Sequence, residues 1–123
     1  MKTEMPFASF TYSEHNWPEL AAEKLKIDTA NRKIVIDTKD ERMIRKCTES
    51  DWLKLEKYVA ACKFSAWEKE YFEPVLDGTT WDIEIVNTDG NAMESHGCNG
   101  YPVEWKQFLA LKRFCHRLMK KDD

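Results

Sequence analysis

The sequence predicts an α+β domain: an antiparallel β-sheet of about five strands with two main helices packed on one of its faces. Two observations predict it. Runs that alternate apolar and polar residues, bounded by turn residues, lie on both sides of a segment with helical periodicity, and a second helical segment closes the chain. The order strands, helix, strands, helix suits an antiparallel sheet whose apolar face the helices cover. The chain has 123 residues, enough for one core and too few for two, so 1–123 is read as a single domain.

The first strand expected is Phe7–Tyr12, rich in aromatics and Thr. In the next run Leu25 and Ile27 alternate with polar residues, as do Ile34 and Ile36, around a turn at Thr29–Arg32. A two-residue or a four-residue loop there pairs Ile27 with Ile34 and Leu25 with Ile36, leaving one apolar face. The period then switches. Trp52, Leu55, Tyr58, Val59 and Cys62 recur at helical spacing, predicting a helix from about Glu49 to Cys62 with Thr48 or Ser50 as N-cap. "SAWEKEYFEPV" reads as a further helical turn or two ending before Pro74, with Trp67 and Tyr71 four apart on one helical face.

Asp77-Gly78 marks a turn, and Trp81, Ile83 and Ile85 alternate with Asp82 and Glu84 in a strand with one wet face. A two-residue Asp89-Gly90 loop would set Glu94 beside Ile85. The three-residue loop Thr88-Asp89-Gly90 instead pairs Asn87 with Asn91, puts Gly90 where left-handed dihedrals are wanted and sets Met93 opposite Ile85. That register is preferred. After Pro102, read as the first helical residue, a helix runs to about Lys120 with Phe108, Leu111, Cys115 and Leu118 in one stripe, flanked by Trp105 and Leu109.

Composition narrows the function. Hydrophobic residues are 42% and charged residues 33%, which suits a globular chain, and net charge is −3 with acids and bases mixed along it. That argues against a nucleic-acid partner, and the basic run at the end of the last helix is read as a complement to its dipole. No run reaches the roughly 18 apolar residues of a membrane span, and the N-terminus lacks a signal-peptide core. Without a secretion signal, Cys47, Cys62, Cys98 and Cys115 are read as reduced thiols of a cytoplasmic protein.

Four constellations carry chemistry. In the preferred register Asp82 lies opposite His96 and Glu84 opposite Glu94, so three carboxylates and an imidazole share one patch, able to bind a divalent ion or act as an acid and base pair. The purely structural reading is the solvated face of a two-faced sheet. His96, Cys98, Cys115 and His116 are zinc-ligand types, but Cys115 and His116 point about 100° apart on a helix, so no metal and no cofactor is expected. Cys98 and His96 are nucleophile and base types with no third group to orient them. Most of the aromatic rings are expected in the core, with Trp67, Tyr71, Asn99, Tyr101 and Trp105 as candidates for contact with a partner.

The spacing Trp67-x-x-x-Tyr71, Asp77-Gly78-x-x-Trp81 and Gly97-x-Asn99-x-Tyr101-Pro102-x-x-Trp105 resembles a family of small uncharacterised bacterial proteins with a W-x3-Y…DGxxW…GxNxYPxxW pattern. The resemblance covers the C-terminal half well and the N-terminal hairpin loosely. It implies a shared fold and carries no assigned activity. In the family pattern another small residue usually fills the position of Cys98, which counts against both cysteine readings. Gly97 would end the strand with an unusual dihedral, Asn99 would bond nearby backbone or cap the helix, and Tyr101 would pack against its first turn. The function expected is a small cytoplasmic protein–protein interaction module without catalysis. A hydrolase using the Asp82, Glu84, Glu94 and His96 face and a purely structural, homodimeric module are the alternatives.

Overall fold

The computed structural model describes residues 5–17, 21–73 and 78–120. Asp77 of the expected Asp77-Gly78 turn, the segment end at Pro74 and the Trp17 side chain lie outside the described residues. The chain runs β1 (Ser9–Trp17), β2 (Ala21–Asp28), β3 (Lys33–Thr38), β4 (Arg42–Lys46), α1 (Glu49–Cys62), a 3-10 turn (Phe64–Ala66), β5 (Glu70–Phe72), β6 (Gly78–Val86), β7 (Ala92–Cys98) and α2 (Trp105–Met119).

This is an α+β fold, with two helices on a seven-stranded sheet in the order β4-β3-β2-β1-β6-β7-β5. The expectation of about five antiparallel strands is corrected twice. β4 and β5 are additional edge strands, and β5 pairs with β7 in parallel. Both escape periodicity because they are short; β4, with three basic residues in five, also carries the charge of an edge that must not recruit a further strand. β1 lies at the centre, hydrogen-bonded to β2 and to β6.

The two hairpins have the registers that alternation predicts. Ile27 pairs with Ile34 and Leu25 with Ile36, around the four-residue version of the Thr29–Arg32 turn. Ile85 pairs with Met93, and Asn87 N–H donates to Asn91 O at 2.8 Å across the three-residue loop, with Gly90 at φ 92°. Phe10, Tyr12, Leu25, Ile27, Ile34, Ile36, Trp81, Ile83 and Ile85 thereby share one face. With Trp52, Leu55 and Val59 of α1 and Phe108, Leu111 and Leu118 of α2 they form one core.

α1 has the predicted bounds. Thr48 Oγ1 accepts from Asp51 N–H at 3.1 Å, the N-cap geometry, and Lys63 in the left-handed region (φ 51°) ends the helix. The chain then leaves helical geometry, so Trp67 and Tyr71 are not i, i+4 helical neighbours. Trp67 follows the 3-10 turn and Tyr71 lies in β5. They still meet, through a third ring: their centroids lie 5.7 and 5.9 Å from that of Trp81. Nor is Pro102 the first helical residue. Its carbonyl accepts from Trp105 N–H at 3.0 Å in a turn, and α2 begins at Trp105.

Candidate functional site

Alternation along β6 and β7 puts Asp82, Glu84, Glu94 and His96 on the sheet face away from the helices, and the cross-strand pairs are those the register predicts: Asp82 with His96, Glu84 with Glu94. His96 Nδ1 hydrogen-bonds Asp82 Oδ1. The pair is half open to water, the side chains 40% and 47% exposed. The same cross-strand row carries Ser13, Lys24 and Asp37 on one side and Glu70 on the other. Glu84 and Glu94 border a hollow with Lys69 and Met93, but neither Asp82 nor His96 lines it. Among the described residues no group of three or more His, Cys, Asp or Glu side chains is placed to hold a metal ion.

The zinc-type and nucleophile-type sets are not assembled. Cys115 is fully buried in the core, while His116 on the adjacent helical position bonds Glu23 at 2.9 Å. Cys98 is half-buried, two residues along β7 from His96 and paired with Thr80 and Phe72.

The aromatic candidates form a packed cluster. Trp81 packs at a tilt against Trp105 at 4.9 Å, Trp105 likewise against Tyr101 at 4.7 Å, and Trp67 lies edge-on to Trp81. Trp67 is buried, with its indole N–H bonded to Cys62 O at 2.8 Å, so it presents nothing to a partner. Of the five candidate residues only Tyr101 is exposed. Asn99 has the role the sequence suggests: its Oδ1 accepts from Thr79 N–H at 3.0 Å. Gly97 does not. Its φ is ordinary, and the left-handed residue is Asn99 at φ 60°. Gly97 is needed for space, because a Cβ there would sit 2.0 Å from Trp81 Nε1, whose N–H reaches Gly100 O at 2.9 Å.

Two further features were not foreseen from sequence. On the helix face of β1 and β2, Lys112 of α2 reaches Glu14 at 2.5 Å and Glu23 at 3.6 Å, while Tyr12 donates to Glu14 at 3.0 Å. Burial, with Glu14 beside it, raises the Tyr12 hydroxyl well above its ordinary pKa, so it stays a donor. The second is a groove of about 980 Å³ between α1 and α2. Its apolar floor is Tyr58, Ala61, Phe114 and Leu118, and Tyr58 stacks on Phe114 at 4.7 Å. Arg117 lies across one end, its guanidinium over Phe114 and its Nη2 donating to Tyr58 Oη at 3.3 Å.

No protein-family model and no curated protein sequence matches the chain. The spacing of Trp67, Tyr71, Trp81, Gly97, Asn99, Tyr101 and Trp105 has a structural account of its own: rings of one cluster, the glycine that admits Trp81, and the asparagine that ties β6 to the turn before α2.

Proposed function

We propose that this protein is a non-catalytic interaction module that binds another protein through the groove between α1 and α2. The observation that carries the reading is the groove itself, whose apolar floor is formed by Tyr58 and Ala61 over the edges of the buried Phe114 and Leu118. Water against such a floor is released when a partner's side chains take its place, and buried aromatics dominate binding energy at such sites. The acid–imidazole pair argues the other way for chemistry. Asp82 and His96 stand half-exposed on the sheet face, where water screens charge, and neither lines the neighbouring hollow. A cytoplasmic setting suits an acidic chain with three buried thiols, and belongs to the same proposal.

The test uses Ala61→Gln, which fills the groove from an exposed helical position while leaving the core untouched. Wild-type and variant proteins are immobilised, exposed to extract of the source cells, and the retained proteins identified by mass spectrometry. A protein held by the wild type and lost from Ala61→Gln is the expected result. Equal retention by both would sink the reading.

A further inference from the structure

We infer that the segment this groove receives is an acidic amphipathic helix of a partner protein; the inference rests on the groove being the binding surface. Charge is the first argument. The chain carries a net −3, yet the groove is rimmed by Lys54 and Lys57 of α1 and by Arg117 and Lys120 at the end of α2. All four are exposed, and among the described residues no carboxylate lies within salt-bridge reach of them. α2 itself, from Trp105 to Met119, contains Lys106, Lys112, Arg113 and Arg117 and no Asp or Glu. The dipole effect, which fades within the last turn, accounts for Arg117 and Lys120 at the end of α2 but not for Lys54 and Lys57, which lie in the interior of α1. The one acid lining the groove, Asp51, is buried and lies 3.8 Å from Arg45, so it does not offset the rim.

The second argument concerns backbone. Both walls are helices, whose amide and carbonyl groups bond within their own turns, so the groove offers no ladder to an extended strand. The segment that fits must satisfy its own backbone, as a helix does, and must present apolar anchors at i, i+3 or i+4, and i+7 to the floor. Acids flanking those anchors would meet the rim cations on either side. A nucleic acid would find four cations here, but its phosphates would leave the aromatic and aliphatic floor wet.

The experiment is an amide-shift titration of the full chain by NMR with two designed helical peptides. They share an identical Leu-based apolar face and differ in a Glu-rich or Lys-rich polar face; a short DNA duplex serves as third probe. The Glu-faced peptide is expected to shift the amides of Tyr58, Ala61, Phe114 and Leu118 saturably. Lys57→Glu with Arg117→Glu should weaken it at least about tenfold and favour the Lys-faced peptide, as charge complementarity sets partner choice. Equal binding of both peptides, DNA shifting the same amides more tightly, or shifts of those amides with protein concentration alone would each overturn the inference. If the Glu-faced peptide fails while Ala61→Gln still loses its captured protein, the groove stands and the acidic helix falls. If Ala61→Gln retains that protein, the groove reading itself has failed.

Discussion

Glu14 and Glu23 are direct cross-strand partners on the covered face of β1 and β2, and Lys112 of α2 is inserted between them. Like charges opposed across a sheet repel, and here both side chains are only 16% and 18% exposed. The ammonium therefore makes the arrangement tolerable, and it ties α2 to β1 and β2. Lys112→Met should lower unfolding free energy by about 2 kcal/mol, less than for a fully buried pair. Lys112→Met/Glu23→Gln should recover part of that loss, since only one carboxylate is then left. Urea unfolding of the two variants measures both; a Lys112→Met protein as stable as wild type would show that the triad is idle.

Asp82 and His96 predict the opposite behaviour. A side-chain pair this exposed contributes at most about 1 kcal/mol, so Asp82→Asn/His96→Ala should melt near wild type. Because no cluster of metal-ligand types forms among the described residues, Zn²⁺, Mn²⁺, Mg²⁺ and Ca²⁺ should leave the melting temperature where EDTA leaves it. A rise with one ion that disappears in the double variant would move the site to this face and restore the hydrolase alternative.

Legibility followed the length of the pattern. The β6–β7 register could be read because five alternating residues and one turn glycine agree on a single pairing. α1 was readable at both ends for the same reason, since Trp52 to Cys62 repeats the helical stripe three times. β4 and β5 were not, because five and three residues hold too little alternation to outweigh other readings. Trp67 and Tyr71 misled because a spacing of four also arises when a 3-10 turn leads into a strand. The Glu14–Lys112–Glu23 triad and the groove depend on which strands flank β1 and which helix faces meet. One local signal was available: the absence of any acid in α2.

Gly97 offers a test of packing rather than of dihedral preference. A methyl group at 97 would lie 2.0 and 2.2 Å from Trp81 Nε1 and Cε2 and 2.6 Å from Gly100 O. The fully buried indole cannot withdraw without breaking its bond to Gly100 and disturbing Trp67, Tyr71 and Trp105. Gly97→Ala should therefore cost about 3 kcal/mol, the upper part of the overpacking range. Gly90→Ala, with nothing within 4 Å but φ 92°, should cost about 1 kcal/mol from backbone strain alone. Thermal melts that rank the two variants the other way would contradict the indole's role.

The thiols give stability a pH dependence of definite sign. Burial pushes Cys47 from 9.0 up to about 11, with Asp51 adding to it, and Cys62 from 9.0 up to about 12. Cys115, enclosed in the core, is raised as well, again chiefly by burial. Above pH 9 the unfolded chain releases these protons while the folded chain retains them, so the unfolded state binds fewer protons and stability must fall as pH rises. The contribution is complete below pH 9.0 and is lost as pH climbs through about 11 to about 12. Each thiol adds up to about 1.4 kcal/mol per pH unit to that slope within its window. Cys62→Ala should flatten the decline by that amount while lowering stability at neutral pH through the lost packing. Denaturant titrations at a series of alkaline pH values separate the two effects, and a slope unchanged by the substitution would show that Cys62 does not take part. The same burial predicts that a thiol reagent at neutral pH modifies the half-buried Cys98 quickly and reaches the other three only on unfolding.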